Sequence, residues 1–351
     1  MTFKVGNSLV GSNQKVYIVA ELSANHNHDF DCAKRTIKAM KESGADAVKF
    51  QTYTADTITA PFNNEYFQIK TGPWAGQTLY ELYQKAYTPW EWIPDLKTYA
   101  LGLGLDWLSS PFDKTAVDFL KSHDVHAYKV ASFEITDTPL IQYMAEQGKP
   151  IIISTGIATS EEIIDAVNAC RAVGNEAIIL LKCTSAYPAS IEEANLRMLP
   201  YLRDKYNVLV GISDHTMGSL VPTVSVGLGV VLIEKHFILD RTMGGPDAAF
   251  SLEPTEFKQM VNDVRLAEKA LGGIIDGPQS NYSSNRQFCR SLFVVKNIAK
   301  GEVFTEENVR SIRPGYGLAP KYLVEVLGRK ANVGISAGAP FSWDMAEGGC
   351  R

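Results

Sequence analysis

Val208-Leu-Val-Gly-Ile-Ser-Asp-His215 and Val230-Val-Leu-Ile-Glu-Lys-His-Phe237 decide the fold. Each is a short β-branched, apolar run that turns polar only at its carboxyl end, the pattern of a strand covered on both faces in a parallel sheet. One β/α repeat separates His215 from His236, so the two imidazoles should crown neighbouring strands. Six runs of the same kind precede them: VYIVAE (16–21), AVKFQ (47–51), LDWLSS (105–110), AYKVAS (127–132), IIIST (151–155) and AIILLKC (177–183). Helical spacing fills the intervals at 32–46, 115–124, 160–174 and 192–205, and follows the eighth run at 255–272. Thr159-Ser160-Glu161-Glu162 reads as a helix start, and Gly44, Gly174 and Gly272 as helix stops. Eight β/α units in about 270 residues predict an α/β fold, a (β/α)8 TIM barrel. An open doubly wound sheet is the alternative, weakened because no Gly-x-Gly-x-x-Gly follows the first strand.

The chain has 351 residues, more than the about 250–300 that one core usually serves, so a smaller second module is expected. Helical periodicity stops at GGIIDGPQSNYSSNRQ, whose Gly, Ser, Asn and Pro content marks a linker. The expected division is a barrel over 1–275, a linker over 276–290 and a compact β-rich module over 291–351. About 60 residues make a marginal core, so that module should need docking or dimerisation. Lys+Arg 34 against Asp+Glu 39 gives a net charge of −5 with scattered basic residues, which argues against nucleic acid or an anionic membrane as partner. The five cysteines (32, 170, 183, 289, 350) form no C-x-x-C pair, so neither a disulfide framework nor a zinc knuckle is indicated and a reducing cytoplasm is expected. The polar first 15 residues lack the apolar core of a signal peptide and no run of about 18 apolar residues occurs, so neither targeting to nor spanning of a membrane is expected.

In a TIM barrel the polar residues at strand carboxyl ends face the active site. Here they are Glu21; Lys49 and Gln51; Ser109 and Ser110; Lys129 and Ser132; Ser154 and Thr155; Lys182, Thr184 and Ser185; Ser213 and His215; and Glu234, Lys235 and His236. His215 and His236 fit a divalent-metal site with open positions, against the alternative of two hydrogen-bonded loop histidines. His26 and His28 form a rival pair; His123 and His126 read as surface residues. Lys49, Gln51 and Lys129 with the serines suit a small ligand bearing phosphate and carboxylate, and a lysine Schiff base is the competing chemistry. Glu21 is placed to exchange a proton, and Asp214 to orient His215. The aromatic-rich insertion between strands two and three, within 52–104, either walls the ligand site or forms an extra packing layer.

AELSANHN, DAVKFQTY, SSPFD, YKVASFEI, IISTG, KCTSAYPA, GISDHT and EKHF, in that order over nearly the whole chain, resemble the sialic acid synthase family of phosphoenolpyruvate-condensing enzymes. TLYELYQKAYTPWEW, GGPDAAFSLEP and RSIRPGYGLAPKYL resemble its pseudaminic acid branch; the N-acetylneuraminate and legionaminate branches tend to carry histidine where Ala248 stands. The resemblance implies a C-terminal SAF (antifreeze-like) domain, signalled by KNIAKGEVFTEENV, and a domain-swapped homodimer in which Arg313 enters the partner's site. It implies that His215 and His236 hold Mn²⁺, with Mg²⁺ or Co²⁺ possible, that Glu21 is the acid/base and that Gln51 contacts substrate beside the metal. Phosphoenolpyruvate would meet Lys49, Ser110, Lys129, Ser132, Ser154, Ser185 and Ser213; the sugar would meet Tyr187, Glu234, Asp247 and Arg313. The implied reaction is attack of phosphoenolpyruvate C3 on the metal-polarised aldehyde of 2,4-diacetamido-2,4,6-trideoxy-L-altrose, with water addition and C–O cleavage. Some family members carry threonine at Ser110 and asparagine at Ser185, and glycine often stands in place of His28. A Schiff-base aldolase and a non-catalytic carbohydrate-binding barrel are the alternatives from other classes.

Overall fold

The computed structural model describes the whole chain except Pro73, 185–187, 278–279 and 350–351, and except the side chains of 280–282. Clustering of contacts separates two compact units, Met1–Gly272 and Gly273–Arg351.

The first unit opens with a hairpin, β1 (Thr2–Val5) and β2 (Ser8–Gly11), absent from the sequence reading. Eight parallel strands follow: β3 (Tyr17–Glu21), β4 (Ala47–Thr52), β5 (Asp106–Pro111), β6 (Tyr128–Val130), β7 (Ile151–Ser154), β8 (Ile178–Cys183), β9 (Leu209–Asp214) and β10 (Leu232–His236). They close into a barrel in the order β10-β3-β4-β5-β6-β7-β8-β9, as expected from the repeat. Helices start where side chains satisfy their first amides: Asp29 accepts from Cys32 N, Asp113 from Ala116 N, and Thr159 with Glu162 forms a capping box. Helices at Ile93–Gly102, Thr138–Ala145 and Leu220–Val226 complete the outer ring; their spacing was too short to stand out.

Alternation along each strand divides the core. Outward residues such as Ile18, Val48, Trp107, Ile153, Leu180 and Ile233 pack under the helices. Inward ones, among them Val19, Leu108, Ile152, Ile179, Leu181 and Leu232, fill the lower barrel together with Val5 and Val10 of the hairpin. The hairpin thus plugs the amino end. Its turn is held from inside: Asp106 accepts from Asn7 N at 2.9 Å, Ser8 Oγ at 2.6 Å and Tyr17 Oη at 3.0 Å, with His126 Nδ1 3.2 Å away. His126 is therefore part of this buried pin, not a surface residue. Gly6 (φ +56°) sits so close that a Cβ would meet Asp106 Oδ1 at 2.1 Å. Inside the barrel Gly211 is required for the same reason, since a Cβ there would lie 2.4 Å from Leu232 O.

The second unit begins with 3₁₀ turns over Ser280–Phe288 and pairs β11 (Ser291–Val294) with β12 (Val309–Ile312) antiparallel. Isolated bridges such as Ile298–Ile335 and Val303–Lys330 supply most of the remaining pairing. Leu292, Val294, Phe304, Val309, Ala331 and Phe341 form its core. It is β-rich but less regular than its turn spacing implied. Among the described residues no helix is long and apolar enough to cross a membrane.

Candidate active site

Parallel register brings the polar strand ends to one level. His236 lies opposite Glu21, Glu21 opposite Lys49, Gln51 opposite Ser110, and Glu234 opposite Ser213. Lys49 Nζ sits 2.6 Å from Glu21 Oε2 and 3.4 Å from Glu234 Oε1, and donates to Ser110 Oγ at 3.4 Å. Lys129 Nζ donates to Ser154 Oγ at 2.6 Å and to Val130 O at 3.0 Å. Ser213 Oγ donates to Glu234 Oε1 at 3.4 Å, and Ser132 Oγ accepts from Gly156 N at 3.3 Å. Two ammonium and two carboxylate groups thus share a nearly dry cluster.

Burial and neighbouring charge set their protonation. Burial pushes Glu21 up, and Lys49 opposes this without reversing it. Burial pulls Lys49 down, but Glu21 and Glu234 outweigh it and raise its pKa. Glu234 goes the other way: burial is outweighed by Lys129 and Lys49, and its pKa falls. Burial lowers Lys129.

The imidazoles of His215 and His236 stand with ring centroids 5.3 Å apart, and Phe250 packs against both, at 5.8 and 4.9 Å. His215 Nδ1 lies 2.9 Å from the Thr184 carbonyl, which places a proton on Nδ1 and the ring's lone pair on Nε2; the Cys183 thiol hydrogen-bonds to the same ring. His236 is buried and pushed well below the ordinary imidazole range by burial and by His215, so it is neutral at pH 7. Its Nδ1 is buried without a hydrogen-bond partner, 3.9 Å from Asp247 Oδ2. An orphaned ring nitrogen beside a second oriented imidazole fits a divalent cation. Among the described residues no group of three or more His, Cys, Asp or Glu offers a complete cage, so such an ion would keep positions for water or substrate.

Gln51 Nε2 donates to Glu21 Oε1 at 3.2 Å and to Ser23 Oγ at 2.9 Å; Ser23 Oγ in turn donates to Asp247. Gln51, Ser23 and Asp247, with His236, line a cavity of about 180 Å³ whose other walls include Tyr53, Trp74, Tyr83, Phe112, Phe133, Glu134 and Phe250. Trp74 Nε1 donates to Pro246 O at 3.0 Å, which ties the insertion to the loop that carries Asp247. The insertion therefore does both things expected of it. Tyr53, Trp74 and Tyr83 wall the cavity, while Trp90 and Trp92 pack against Phe119 and Phe30.

Several expected positions do not face the barrel mouth. Ser109 points outward to Thr52 Oγ1, Lys182 to Glu193 O, and Thr184 Oγ1 also to Glu193 O. Thr155 Oγ1 donates to Leu181 O. Lys235 and Asp214 pair outside the barrel at 2.5 Å, so the Thr184 carbonyl, not Asp214, orients His215. His26 Nδ1 accepts from His28 N and its Nε2 contacts Thr88 Oγ1, while His28 contacts Lys85 O; this rival pair is committed to its loop. His28 has φ +55°, a left-handed conformation that glycine adopts at least cost. Cys183, absent from the expected set, points inward instead of Lys182; burial opposes ionisation, but His215, Ser132 and Lys129 lower its thiol to about 7. Ser185 and Tyr187 lie outside the described residues. Arg313 belongs to the second unit, exposed and without a hydrogen bond or ion pair among the described residues.

A family model described as NeuB matches residues 36–276, which span the lysine cluster and both imidazoles. The chain belongs to the NeuB family. A SAF domain model matches residues 290–347, so this member carries both modules. It is 47% identical over 336 residues to a pseudaminic acid synthase of Campylobacter jejuni subsp. jejuni, covering 95% of this chain and 97% of that one. It is 48% identical over 333 residues to a pseudaminic acid synthase of Helicobacter pylori, covering 94% and 97%. Among solved structures, a spore coat polysaccharide biosynthesis protein of Bacillus subtilis superposes with a TM-score of 0.68 at 33% identity, covering 98% of this chain and 99% of that one. Similarity to these three proteins thus runs through both modules.

Proposed function

We propose that this chain is a pseudaminic acid synthase, condensing phosphoenolpyruvate, water and 2,4-diacetamido-2,4,6-trideoxy-L-altrose to pseudaminic acid and phosphate. Near-full-length identity of 47–48% to two synthases of that name carries the reading. The site accounts for it physically. Lys49 and Lys129, with Ser110, Ser132, Ser154, Ser185 and Ser213, bind the phosphate and carboxylate of phosphoenolpyruvate. The aromatic cavity takes a sugar with a methyl at C6 and acetyl groups on two nitrogens, with Gln51, Tyr187, Glu234 and Asp247 as its polar contacts. A divalent cation on His215 and His236, Mn²⁺ with Mg²⁺ or Co²⁺ as alternatives, supplies Lewis acidity toward the aldehyde when bound.

Proton bookkeeping falls to Glu21. The two lysines are already balanced by Glu21 and Glu234, so an arriving anion favours protonation of the carboxyl that burial has raised. C3 of phosphoenolpyruvate attacks the aldehyde carbon, and Glu21 gives its proton to the oxygen that becomes the new hydroxyl. The resulting carboxylate then takes a proton from the water that adds at C2, and as the C–O bond to phosphate breaks the C2 hydroxyl gives its proton to the departing phosphate and becomes the ketone. The active form is a domain-swapped homodimer in which Arg313 contacts the sugar held by the partner subunit. The cysteines Cys32, Cys170, Cys183 and Cys289 are unbridged, in keeping with a cytoplasmic enzyme.

Phosphate release from phosphoenolpyruvate with three sugars tests the reading. The diacetamido altrose should give the highest kcat/KM. A clear preference for N-acetylmannosamine or for the legionaminate precursor would overturn it in favour of a sister synthase.

A further inference from the structure

Lys235 and Asp214 meet on the outer face of the barrel, and the scheme above gives them no task. Both are nearly dry, with side chains 0% and 3% exposed. The Lys235 ammonium donates to Asp214 Oδ2 at 2.5 Å and also to the Thr216 carbonyl. Asp214 Oδ1 accepts from Thr216 N at 3.0 Å and from Thr216 Oγ1 at 2.9 Å. Asp214 and Thr216 flank His215, and Lys235 precedes His236. One buried cation thus grips the chain on both sides of one imidazole and adjoins the other.

Two buried charges contribute little stability over apolar residues of the same volume, and the best-attested use of such a pair is to fix a register. Strands β9 and β10 pair only as far as Asp214 opposite Lys235, and each imidazole belongs to the next residue. On its other side β9 pairs with β8 only as far as Ser213. The backbone of His215 therefore leaves the sheet just where its ring must face that of His236, with 5.3 Å between centroids. The Thr184 carbonyl sets how the His215 ring is turned, but its distance from His236 depends on where Asp214 and Thr216 hold the main chain. Ligand distances to a bound cation tolerate an error of only about 0.2 Å, so that hold matters. Resting on the reading that His215 and His236 carry the cation, we propose that Lys235 and Asp214 are positioning residues: through Thr216 their ion pair fixes the separation of the two imidazoles and so sets divalent-metal affinity, without touching metal or substrate.

Titration of the full chain with Mn²⁺, reading the free ion from its EPR signal, tests this. Lys235→Met/Asp214→Asn removes both charges together, so no unpaired charge stays buried, and asparagine still accepts from Thr216. Its dissociation constant for Mn²⁺ should rise about 10- to 100-fold, the range for losing groups that orient metal ligands. Its affinity for phosphoenolpyruvate, measured without metal, should stay at the wild-type value. Lys235→Met alone should weaken Mn²⁺ binding at least as much, and the double variant carries the test if that protein does not fold. Wild-type Mn²⁺ affinity in the double variant would overturn the assignment and leave the metal site standing. So would equal losses of Mn²⁺ and phosphoenolpyruvate affinity, the mark of a general loosening of the barrel mouth. A wild type that binds Mn²⁺ no more tightly than His215→Ala would overturn the metal reading itself.

Discussion

Glu21→Gln is expected to lower kcat roughly 10²- to 10⁴-fold, the range for removing a positioned acid/base, while leaving phosphoenolpyruvate binding intact. Glutamine imitates the protonated carboxyl in shape and charge, so it retains the state that accepts the anion and loses only the movable proton. Binding should also report the sign of the coupling. In the wild type, phosphoenolpyruvate binding draws a proton onto Glu21, whose pKa burial has raised; affinity therefore falls as pH rises through that pKa. Calorimetry above pH 7, where the ligand's phosphate (second pKa about 6) no longer titrates, should show proton uptake in the wild type and none in Glu21→Gln. A variant with near-wild-type turnover would remove Glu21 from the chemistry.

Lys49→Met carries the second large effect, on stability as well as function. Glu21 and Glu234 have side chains 0% and 5% exposed, and Lys49 bridges both. Removing one partner of a buried ion cluster typically costs about 3–5 kcal/mol, because the remaining charge stays desolvated. Denaturant unfolding of the variant should show a loss of that order. The double variant Lys49→Met/Glu21→Gln should recover part of it, since the carboxylate that lost its counter-ion is also gone. The variant should bind phosphoenolpyruvate far more weakly than the wild type. A Lys49→Met protein with wild-type stability and affinity would contradict the cluster as described.

Much of this site was legible because a barrel strand exposes every second residue to its interior. Glu21, Lys49, Gln51, Glu234 and His236 could be aligned from their distance to the strand end alone. Where both neighbours of a position are apolar the phase is unreadable: in IILLKC nothing local says that Cys183 turns inward and Lys182 outward, which is fixed only by pairing Cys183 with Ser213 on β9. The same ambiguity placed Lys235 and Asp214 at the mouth, although they pair on the far side of the sheet. Glu134 escaped because it lies past its strand, in a turn where alternation no longer holds. The bottom hairpin did have a signal, alternating FKV and SLV around Gly6-Asn7. Tyr53, Trp74 and Tyr83 converge through a long insertion whose path depends on tertiary contacts such as the Trp74–Pro246 hydrogen bond.

The most direct test is diffraction from crystals soaked with phosphoenolpyruvate and Mn²⁺, collected to locate manganese by its anomalous signal. One manganese peak should lie within bonding distance of a ring nitrogen of both His215 and His236, with the ligand's phosphate and carboxylate on Lys49, Lys129 and the surrounding serines. Manganese bound away from this pair of imidazoles, or a ligand joined covalently to either lysine, would contradict the account.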